Sequence, residues 1–396
     1  MTEAILIINV GSTSVKTRLF NSDLCLLAEL NADYGKDNAV SVLGKTITGQ
    51  VVAYQLTKNS SAEYALESIL VQWQDWLQQA DLALLAIGHR VVHGAGWYAG
   101  PTEITDAVLA RLEQLDAYAP LHNPFNRLGI IIARRLFPAC WQFALFDTAF
   151  HRTIPDYAGK YALPDDLTAN IQFYRYGFHG LSCLHSVSVC SELLNIAPSQ
   201  LNLIVLHLGG GASATAICGG VSIDTSMGFS PCEGLVMAKR PGDLDPMILV
   251  ALQKEGYSAQ QIDEVLNHRS GLYGVSGHTD MRAVLAALAQ GDENAKLAVK
   301  MFCYRIKKYI GAYYAILGRV SALVFSGGIG EHAALVREEI IDGLAHLGML
   351  LDVEKNRLAT TDNREISANA SAIKILVVAA EEERVSAQQI FNFLGQ

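Results

Sequence analysis

A pattern of apolar strand, glycine-rich turn and second strand occurs twice in this chain and restricts the folds it can adopt. The first copy is the apolar run 4–10, the turn Gly-Ser-Thr-Ser and a strand-like run at 15–20. In the second copy, runs at 203–208 and 214–218 flank Gly-Gly-Gly-Ala-Ser. Short β-branched runs bounded by glycine are typical of buried strands. The repetition therefore predicts two related halves.

Helical patterns lie between these strands, and a third apolar run, 322–325, ends in the glycine-rich turn 326–331. Apolar side chains that recur every three or four residues predict amphipathic helices. By this criterion helices are expected at 126–136, 293–317 and 337–347. Strands that alternate with helices favour an α/β fold with layered sheets.

The length and charge of the chain narrow the class of protein. At 396 residues, with 51% hydrophobic and 17% charged residues, it is expected to form two compact domains. The formal net charge is -9 and no long basic run occurs, which argues against binding to nucleic acid or to an anionic membrane. An anionic ligand would then be held by a few local cations.

The cysteines and the N-terminus predict a cytoplasmic protein. The seven cysteines are scattered and without C-x-x-C spacing, which favours reduced thiols over a disulfide or zinc framework. No basic signal-peptide start is present, and no apolar stretch reaches the roughly 20 residues of a membrane span. No membrane attachment is therefore expected.

The glycine turns are candidate phosphate sites. Successive backbone N–H groups in such a turn form a concave anion site, and glycine allows a phosphate to approach closely. Each turn could equally be a plain hairpin connection. The chain has no Walker A pattern and no G-x-G-x-x-G after its first strand, so neither a P-loop enzyme nor a Rossmann dehydrogenase is supported. Together the turns resemble the phosphate and adenosine loops of the sugar kinase, actin and heat-shock chaperone superfamily.

Two arginines are candidates for holding anions. Arg90, in GHRVVHG, is expected near the end of a strand, and Arg240, in KRPGD, is expected in a loop. Phosphoryl transfer to a carboxylate brings two anions together, and planar guanidinium groups suit the oxygens of both. Each arginine could instead form an ordinary ion pair with a carboxylate.

Histidines and oxygen ligands complete the set of candidates. His179 in RYGFHG and His207 in HLGGGAS lie next to glycines, where they could donate to phosphoryl oxygens, although an isolated histidine is more often a hydrogen-bonded core residue. Asn9, Asp147 and Glu382 offer oxygens of the kind that Mg²⁺ prefers. Glu382 could also simply begin a helix, because acidic residues favour a first turn.

The motifs, taken in order, resemble those of the acetate kinase family over residues 5–387. They are NVGSTSVK, GHRVVHG, APLHNP, FDTAFH, RYGFHG, HLGGGAS, DTSMGFSPCEG, KRPGDLDP, GVSGHTDMR and GGIGE. The resemblance implies an α/β, duplicated actin-like (ribonuclease H-like) two-domain fold with an active-site cleft between the domains. It also implies an N-terminal domain, 1–148, completed by a C-terminal helix at about 384–396, and a second domain, 149–383, with the nucleotide-binding loops.

The resemblance further implies a reaction. The expected enzyme is a homodimeric, Mg²⁺-dependent kinase that reversibly transfers a phosphoryl group from ATP to acetate, giving acetyl phosphate and ADP. The alternatives are a propionate or butyrate kinase and, from another class, an actin-like or chaperone-like ATPase module. Only small-molecule substrates are expected, without nucleic acid or membrane partners.

The resemblance assigns roles residue by residue. Arg90 and Arg240 would hold the carboxylate and the transferring phosphoryl, His179 would stabilise the transition state, and Asp147 would organise the arginines or the metal. Asn9 and Glu382 would lie near Mg²⁺. The phosphate and adenosine positions would be Ser14, Lys16, His207, Gly209, Gly211, Asp280, Arg282, Gly328 and Ile329. The pocket for the alkyl end of the acid would be formed by Val92, Leu121, His122, Phe178 and Pro231.

Some positions depart from the family pattern. Gly210 and His332 stand where the family usually has asparagine, and Pro241 stands where it usually has serine. Contacts to the nucleotide are therefore expected to differ from those of other members, and the loop after Arg240 is expected to be stiffer.

Overall fold

The structure is a computed structural model that describes residues 2–33, 40–46, 51–56, 61–80, 82–168 and 171–395. The chain forms two compact units. Unit 1 consists of Met1–Ala149 together with Glu381–Gln396, and unit 2 consists of Phe150–Ala380. The segment at the end of the chain thus belongs to the unit at its beginning.

The strands of unit 1 form one mixed sheet. They are β1 (Thr2–Val10), β2 (Ser14–Asn21), β3 (Leu26–Asp33), β4 (Val40–Thr46), β5 (Val51–Leu56), β6 (Leu82–Val91), β7 (Thr102–Glu103) and β8 (Trp141–Phe146). The order across the sheet is β5-β4-β3-β2-β1-β6-β8-β7. β1 and β2 form the predicted antiparallel hairpin, whereas β6 runs parallel to β1 and β8 runs parallel to β6. The carboxyl ends of β1, β6 and β8 therefore meet at one edge of the sheet.

The described residues of unit 1 form the helices α1 (Ala62–Gln79), α2 (Asp106–Gln114), α3 (Asn123–Leu136) and α14 (Glu382–Leu394), and α1, α3 and α14 pack against strands of the sheet. α1 and α3 supply Trp73 and Ile132 to a core that includes Ile8 and Leu66. The helix expected at 126–136 exists but begins three residues earlier, because a proline in the first turn needs no N–H partner there. α14 begins at Glu382, as the alternative interpretation of this residue expected, and ends at Leu394.

Unit 2 repeats the same strand arrangement. Its strands are β9 (Asn202–Leu208), β10 (Ala212–Cys218), β11 (Val221–Thr225), β12 (Ala322–Ser326), β13 (Arg364–Glu365) and β14 (Lys374–Val377). Three antiparallel strands, β11-β10-β9, are followed by β12 and β14, which run parallel to β9. Unit 1 has the same order in β3-β2-β1-β6-β8. The prediction of two related halves is confirmed.

The helices of unit 2 are α4 (Asp156–Gly159), α5 (Gly180–Leu194), α6 (Met247–Lys254), α7 (Ala259–His268), α8 (Gly271–Ser276), α9 (Met281–Ala289), α10 (Glu293–Leu317), α11 (Gly327–His332), α12 (Ala334–Ile341) and α13 (Val353–Arg357). α10 has the predicted bounds. The helix predicted at 337–347 is wrong in extent, since α12 ends at Ile341. Gly343 adopts φ +81°, which interrupts the helix before a short 3₁₀ turn at Ala345–Leu347.

The described residues contain neither a helix that could cross a membrane nor a disulfide bond. No helix among them is long and apolar enough to cross a membrane. The seven cysteines all lie within this part of the chain, and each is a free thiol.

Candidate active site

Arg90 lies at the carboxyl end of β6, between two carboxylates of unit 1. Its Nε and Nη2 donate to the two oxygens of Asp147 at 2.9 and 2.7 Å, and its Nη1 lies 3.0 Å from Glu382 Oε2. Burial disfavours the charge of Arg90, but the charges of Asp147 and Glu382 outweigh this effect and raise the pKa of the guanidinium. The arginine is therefore a permanently charged group in a fixed orientation.

The sheet brings these three residues together. Asp147 directly follows β8, which pairs with β6, and Glu382 opens α14, which packs on β1 and β6. Asn9 is the penultimate residue of β1, and since Ile8 pairs with His89, Asn9 lies at the level of Arg90 on the neighbouring strand. Strand order thus places Asn9 and Asp147 near Arg90, and the start of α14 places Glu382 there.

The hairpin of unit 1 carries two further candidates. Ser14 begins β2 and Lys16 pairs with Asn9 across the hairpin, with an exposed side chain. Gly11 N–H donates to Ser14 O at 2.8 Å, which closes the turn.

Two buried asparagines hold the segment after Arg90, and the sequence analysis missed them. Val92 N–H donates to Asn126 Oδ1 at 3.0 Å, and Asn126 Nδ2 donates to Val10 O at 2.7 Å. His93 N–H similarly donates to Asn123 Oδ1 at 3.1 Å. Both asparagines lie at i and i+3 on the buried face of α3, whose other buried residues are apolar or glycine, and this pattern is the signal that could have found them. Leu121 and His122, the other proposed pocket residues of unit 1, are half-buried just before this helix.

In unit 2 the rings of His179 and His207 stack with their centroids 4.1 Å apart. Each Nδ1 lies against a serine hydroxyl, His179 against Ser213 at 2.9 Å and His207 against Ser182 at 2.8 Å. These serines, which the sequence analysis did not select, fix the orientation of both rings. Ser213 belongs to the HLGGGAS turn, so the motif itself contained the signal.

Arg240 lies in a loop whose conformation is fixed by backbone hydrogen bonds. Met237 N–H donates to Arg240 O at 3.0 Å, and Ser270 N–H donates to Lys239 O at 3.0 Å. Nη1 of Arg240 reaches the carbonyl of Pro231 at 3.4 Å. Burial lowers the pKa of Arg240, an effect that Cys232 partly opposes. A bound anion would therefore stabilise the charged guanidinium.

A cavity of about 460 Å³ in unit 2 brings together all four predicted adenosine positions, Asp280, Arg282, Gly328 and Ile329. Its lining includes Gly209, Gly210, Asp280, Arg282, Gly328, Ile329 and His332. Asp280 also accepts a hydrogen bond from Ala283 N–H and caps α9, so part of its role is structural. Gly211 and His207 lie on the hairpin that supplies Gly209.

The candidate residues divide between the two units. Unit 1 holds Arg90, Asp147, Asn9, Glu382, Ser14, Lys16, Val92, Leu121 and His122, and unit 2 holds His179, Arg240, His207, Phe178, Pro231 and the residues of the cavity. Phe178 is buried and Pro231 half-buried.

The donors near Arg90 suit a magnesium ion, although no group of three or more His, Cys, Asp or Glu side chains in the described parts of the chain could hold a metal by itself. Mg²⁺ normally takes only one or two protein carboxylates and keeps water and phosphate oxygens as its other ligands. Glu382 contacts Arg90 through Oε2, which leaves Oε1 on the same carboxylate as a donor. The amide oxygen of Asn9 is a donor of the same hard type.

Comparisons with known proteins identify the class and then the family. The structure is similar to a propionate kinase from Francisella tularensis subsp. tularensis SCHU S4, with TM-score 0.90, 38% identity and 98% of each chain covered. It is also similar to the acetate kinase of Porphyromonas gingivalis, with TM-score 0.89 and 34% identity over 99% of this chain and 100% of that one. The protein is therefore a kinase with the duplicated actin-like two-domain α/β fold.

Comparisons of the sequence identify the family. The model of the acetokinase family matches residues 4–388. An acetate kinase of Campylobacter jejuni subsp. doylei is 40% identical over 394 residues, which cover 99% of each chain. The chain belongs to the acetokinase family, whose members are ATP-dependent kinases, and such kinases generally require a divalent metal.

Two fully buried histidines should make the stability of the protein depend on pH. Burial lowers the pKa of His89 and of His151 from 6.5 to about 4, an effect that hydrogen bonds to Gln142 and Phe178 only partly oppose. Between these values the unfolded chain binds more protons, so the stability present above pH 6.5 is lost as the pH falls towards 4. The difference corresponds to about 3 kcal/mol per histidine.

Urea denaturation at about pH 7.5 and about pH 5 measures this effect. The free energy of unfolding should be lower at pH 5, and His89→Gln should reduce the difference by removing one of the two titrations. Equal unfolding free energies at both pH values would contradict the buried, neutral state of these rings.

Proposed function

We propose that the protein reversibly transfers the γ-phosphoryl group of ATP to acetate, giving acetyl phosphate and ADP. The observation that carries this proposal is the fixed guanidinium of Arg90. Its Nε and one Nη2 N–H donate to Asp147 and its Nη1 lies 3.0 Å from Glu382 Oε2, so a substrate anion would meet the N–H groups that do not face these carboxylates. Preorganised donors stabilise charge in a transition state without a cost of reorganisation.

The proposed reaction is a direct displacement. An acetate oxygen attacks the γ-phosphorus, the bond from that phosphorus to the bridging oxygen breaks, and its electron pair stays on ADP. Arg90 would orient the acid, while Arg240 and His179 would neutralise charge on the phosphoryl oxygens. The reaction needs no covalent intermediate.

In this proposal, different residues bind the nucleotide and the metal. The cavity beside Gly209 and Gly328 would take the adenosine, and the glycine hairpins would take the phosphates. We propose Mg²⁺ as the metal, held by Glu382 and Asn9, with Asp147 acting through Arg90. When bound, the metal supplies positive charge to the phosphate oxygens.

A hydroxamate-trapping assay tests the activity. Purified protein with ATP and Mg²⁺ should form the hydroxamate with acetate and, at lower efficiency, with propionate and butyrate. The ATPase alternative instead predicts ADP release that is unchanged when the acid is omitted, and that result would overturn the proposal.

Propionate is the second candidate acid, because a propionate kinase is among the similar structures. Val92 is expected to decide between the two. Its backbone is fixed by Asn126, and its β-branched side chain is stiff and would narrow the space beyond the methyl group of acetate. Val92→Ala should raise the kcat/KM ratio of propionate to acetate several-fold and leave the KM for ATP unchanged, since one methylene is worth about 1 to 3 kcal/mol.

Val91→Ala is the matched control for this prediction. Val91 is the preceding residue and the last one of β6, and its side chain is 1% exposed. Its truncation should lower stability without changing the preference between the acids. An unchanged ratio in Val92→Ala would remove Val92 from the acid pocket.

We also propose that the enzyme is a cytoplasmic homodimer. Leu297, Met301 and Tyr304 follow at i, i+4 and i+7 on α10, and they are 50%, 42% and 67% exposed. An exposed apolar stripe of this kind would form the contact with a second copy. Sedimentation velocity should show a dimer that Met301→Lys weakens, whereas a wild-type monomer would disprove this part.

A further inference from the structure

His151 is a buried histidine of unit 2 that the proposed reaction does not use. It lies in the short 3₁₀ helix Ala149–Thr153, four residues after Asp147, and its side chain is 1% exposed. Its Nε2 lies 2.8 Å from the carbonyl oxygen of Phe178, and its Nδ1 lies 2.9 Å from Ser222 Oγ. Both ring nitrogens are therefore engaged.

These partners determine the tautomer of His151. A carbonyl oxygen can only accept, so Nε2 carries the proton and donates to Phe178 O. Nδ1 then accepts from the hydroxyl of Ser222. Because burial lowers the pKa of His151 to about 4, the ring keeps this neutral form at physiological pH.

The accepting carbonyl lies in an unusual stretch of backbone. Phe178 stands between Gly177, with φ +71°, and His179, with φ +59° and ψ 25°. A left-handed conformation is unfavourable for residues other than glycine and persists where surrounding contacts enforce it. The turn directs His179 towards Ser213 and the ring of His207.

The His151 ring also shapes the turn by contact. A Cβ added to Gly177 would lie 2.5 Å from Thr225 Cγ2 and 2.7 and 2.8 Å from two ring carbons of His151, so glycine is required where Thr225 and the ring pack. On the other side of the turn, Tyr176 N–H and Gly177 N–H donate to Gly228 O at 3.1 and 3.3 Å. The hydrogen bond from His151 holds the peptide immediately before His179.

We propose that His151 is a positioning residue for His179, which it keeps in the left-handed turn by donating a hydrogen bond to the carbonyl of Phe178. This inference rests on the proposed catalytic role of His179. It assigns a role in the reaction to a side chain that would touch neither substrate nor metal. The competing explanation is that His151 only satisfies a buried carbonyl and stabilises the core.

Kinetics of four single variants separate these explanations. His151→Phe keeps the ring and removes both nitrogens, and it should lower kcat at least about tenfold with KM values for acetate and ATP within about twofold. His151→Gln retains an N–H that can reach Phe178 O and should stay within about threefold of wild type. Ser222→Ala, the matched control, removes only the other hydrogen bond of the ring, so it should lower stability with kcat nearly unchanged. His151→Asn cannot reach Phe178 O and replaces His151→Phe if the latter does not fold.

A double-mutant cycle with His179→Ala distinguishes a positioning role of His151 from a purely structural role. If His151 acts through His179, adding His151→Phe to His179→Ala should change kcat by less than about twofold. Multiplicative effects of the two substitutions, or a wild-type kcat in His151→Phe and His151→Asn, would overturn the proposal.

A spectroscopic readout separates this inference from the proposed reaction. The imidazole resonance of His179, assigned by its loss in His179→Ala, should shift in His151→Phe and stay in place in Ser222→Ala. If wild-type protein phosphorylates no acid, the proposed function fails, and the resonance still decides the positioning role. An unshifted resonance in His151→Phe would reject that role.

Discussion

Arg90→Ala is expected to lower kcat/KM for acetate at least about 10²-fold, the loss typical of removing a charge-stabilising donor from a closed site. It should also destabilise unit 1, because Asp147 is buried and would lose its counter-charge. Removing one partner of a buried ion pair lowers the free energy of unfolding by about 3–5 kcal/mol. Because Arg90 is partly exposed, the loss in Arg90→Ala should not exceed this range. Steady-state kinetics and thermal unfolding measure the two effects separately.

Two control variants separate activity from folding. Arg90→Lys keeps the charge but not the planar fork, so it should fold and still lose at least about tenfold in kcat/KM. Arg18→Ala removes another arginine of the same sheet, which pairs with Glu29 and Glu383 at 3.3 Å, and should leave kcat/KM within about twofold. Near-normal activity of soluble Arg90→Ala would show that Arg90 does not act on the substrate.

Arg240→Ala is expected to lose activity to a similar degree, at least about 10²-fold in kcat/KM, with little change in stability. The reason for the contrast is electrostatic. Burial lowers the pKa of Arg240, so its charge is unfavourable in the folded protein, whereas carboxylates raise the pKa of Arg90. Removing Arg240 should therefore leave the midpoint of thermal unfolding almost unchanged.

Lys239→Ala is the control for this second prediction. Lys239 is the adjacent cation in the same locked loop, and its side chain is exposed. Its removal should leave kcat/KM within about twofold. A large loss in Lys239→Ala, or a small one in Arg240→Ala, would mean that general positive charge rather than a positioned guanidinium serves the reaction.

Sequence reasoning predicted the elements that depend on local pattern. The two glycine hairpins, the strand ending beside Arg90 and the helix α10 follow from apolar periodicity and from the residues that end each element. It failed where backbone geometry decided the outcome. The apolar spacing of 337–347 predicts a single helix, but Gly343 adopts a left-handed backbone conformation that divides this segment.

The functional side chains of the candidate site could be predicted from the sequence, whereas the hydrogen bonds that hold them in position could not. Arg90, His179 and Arg240 stand in motifs whose chemistry can be recognised, and their catalytic roles remain predictions. The supporting hydrogen bonds join residues far apart in sequence, such as Asn126 with Val10 and His151 with Phe178. Such pairings depend on the packing of whole elements, and no local pattern specifies them.

The position of α14 has a consequence for how the protein is made. Ile390 of this helix packs against Gly88, and the ring of Phe393 lies 5.2 Å from that of Phe143, so the core of unit 1 needs residues from both ends of the described chain. Synthesis proceeds from the N-terminus, and domains that are continuous in sequence can fold in that order. Unit 2 can therefore be complete while the sheet of unit 1 still lacks its last helix. Throughout that interval the apolar surface around Gly88 stays uncovered, which makes the nascent chain a candidate for chaperone binding.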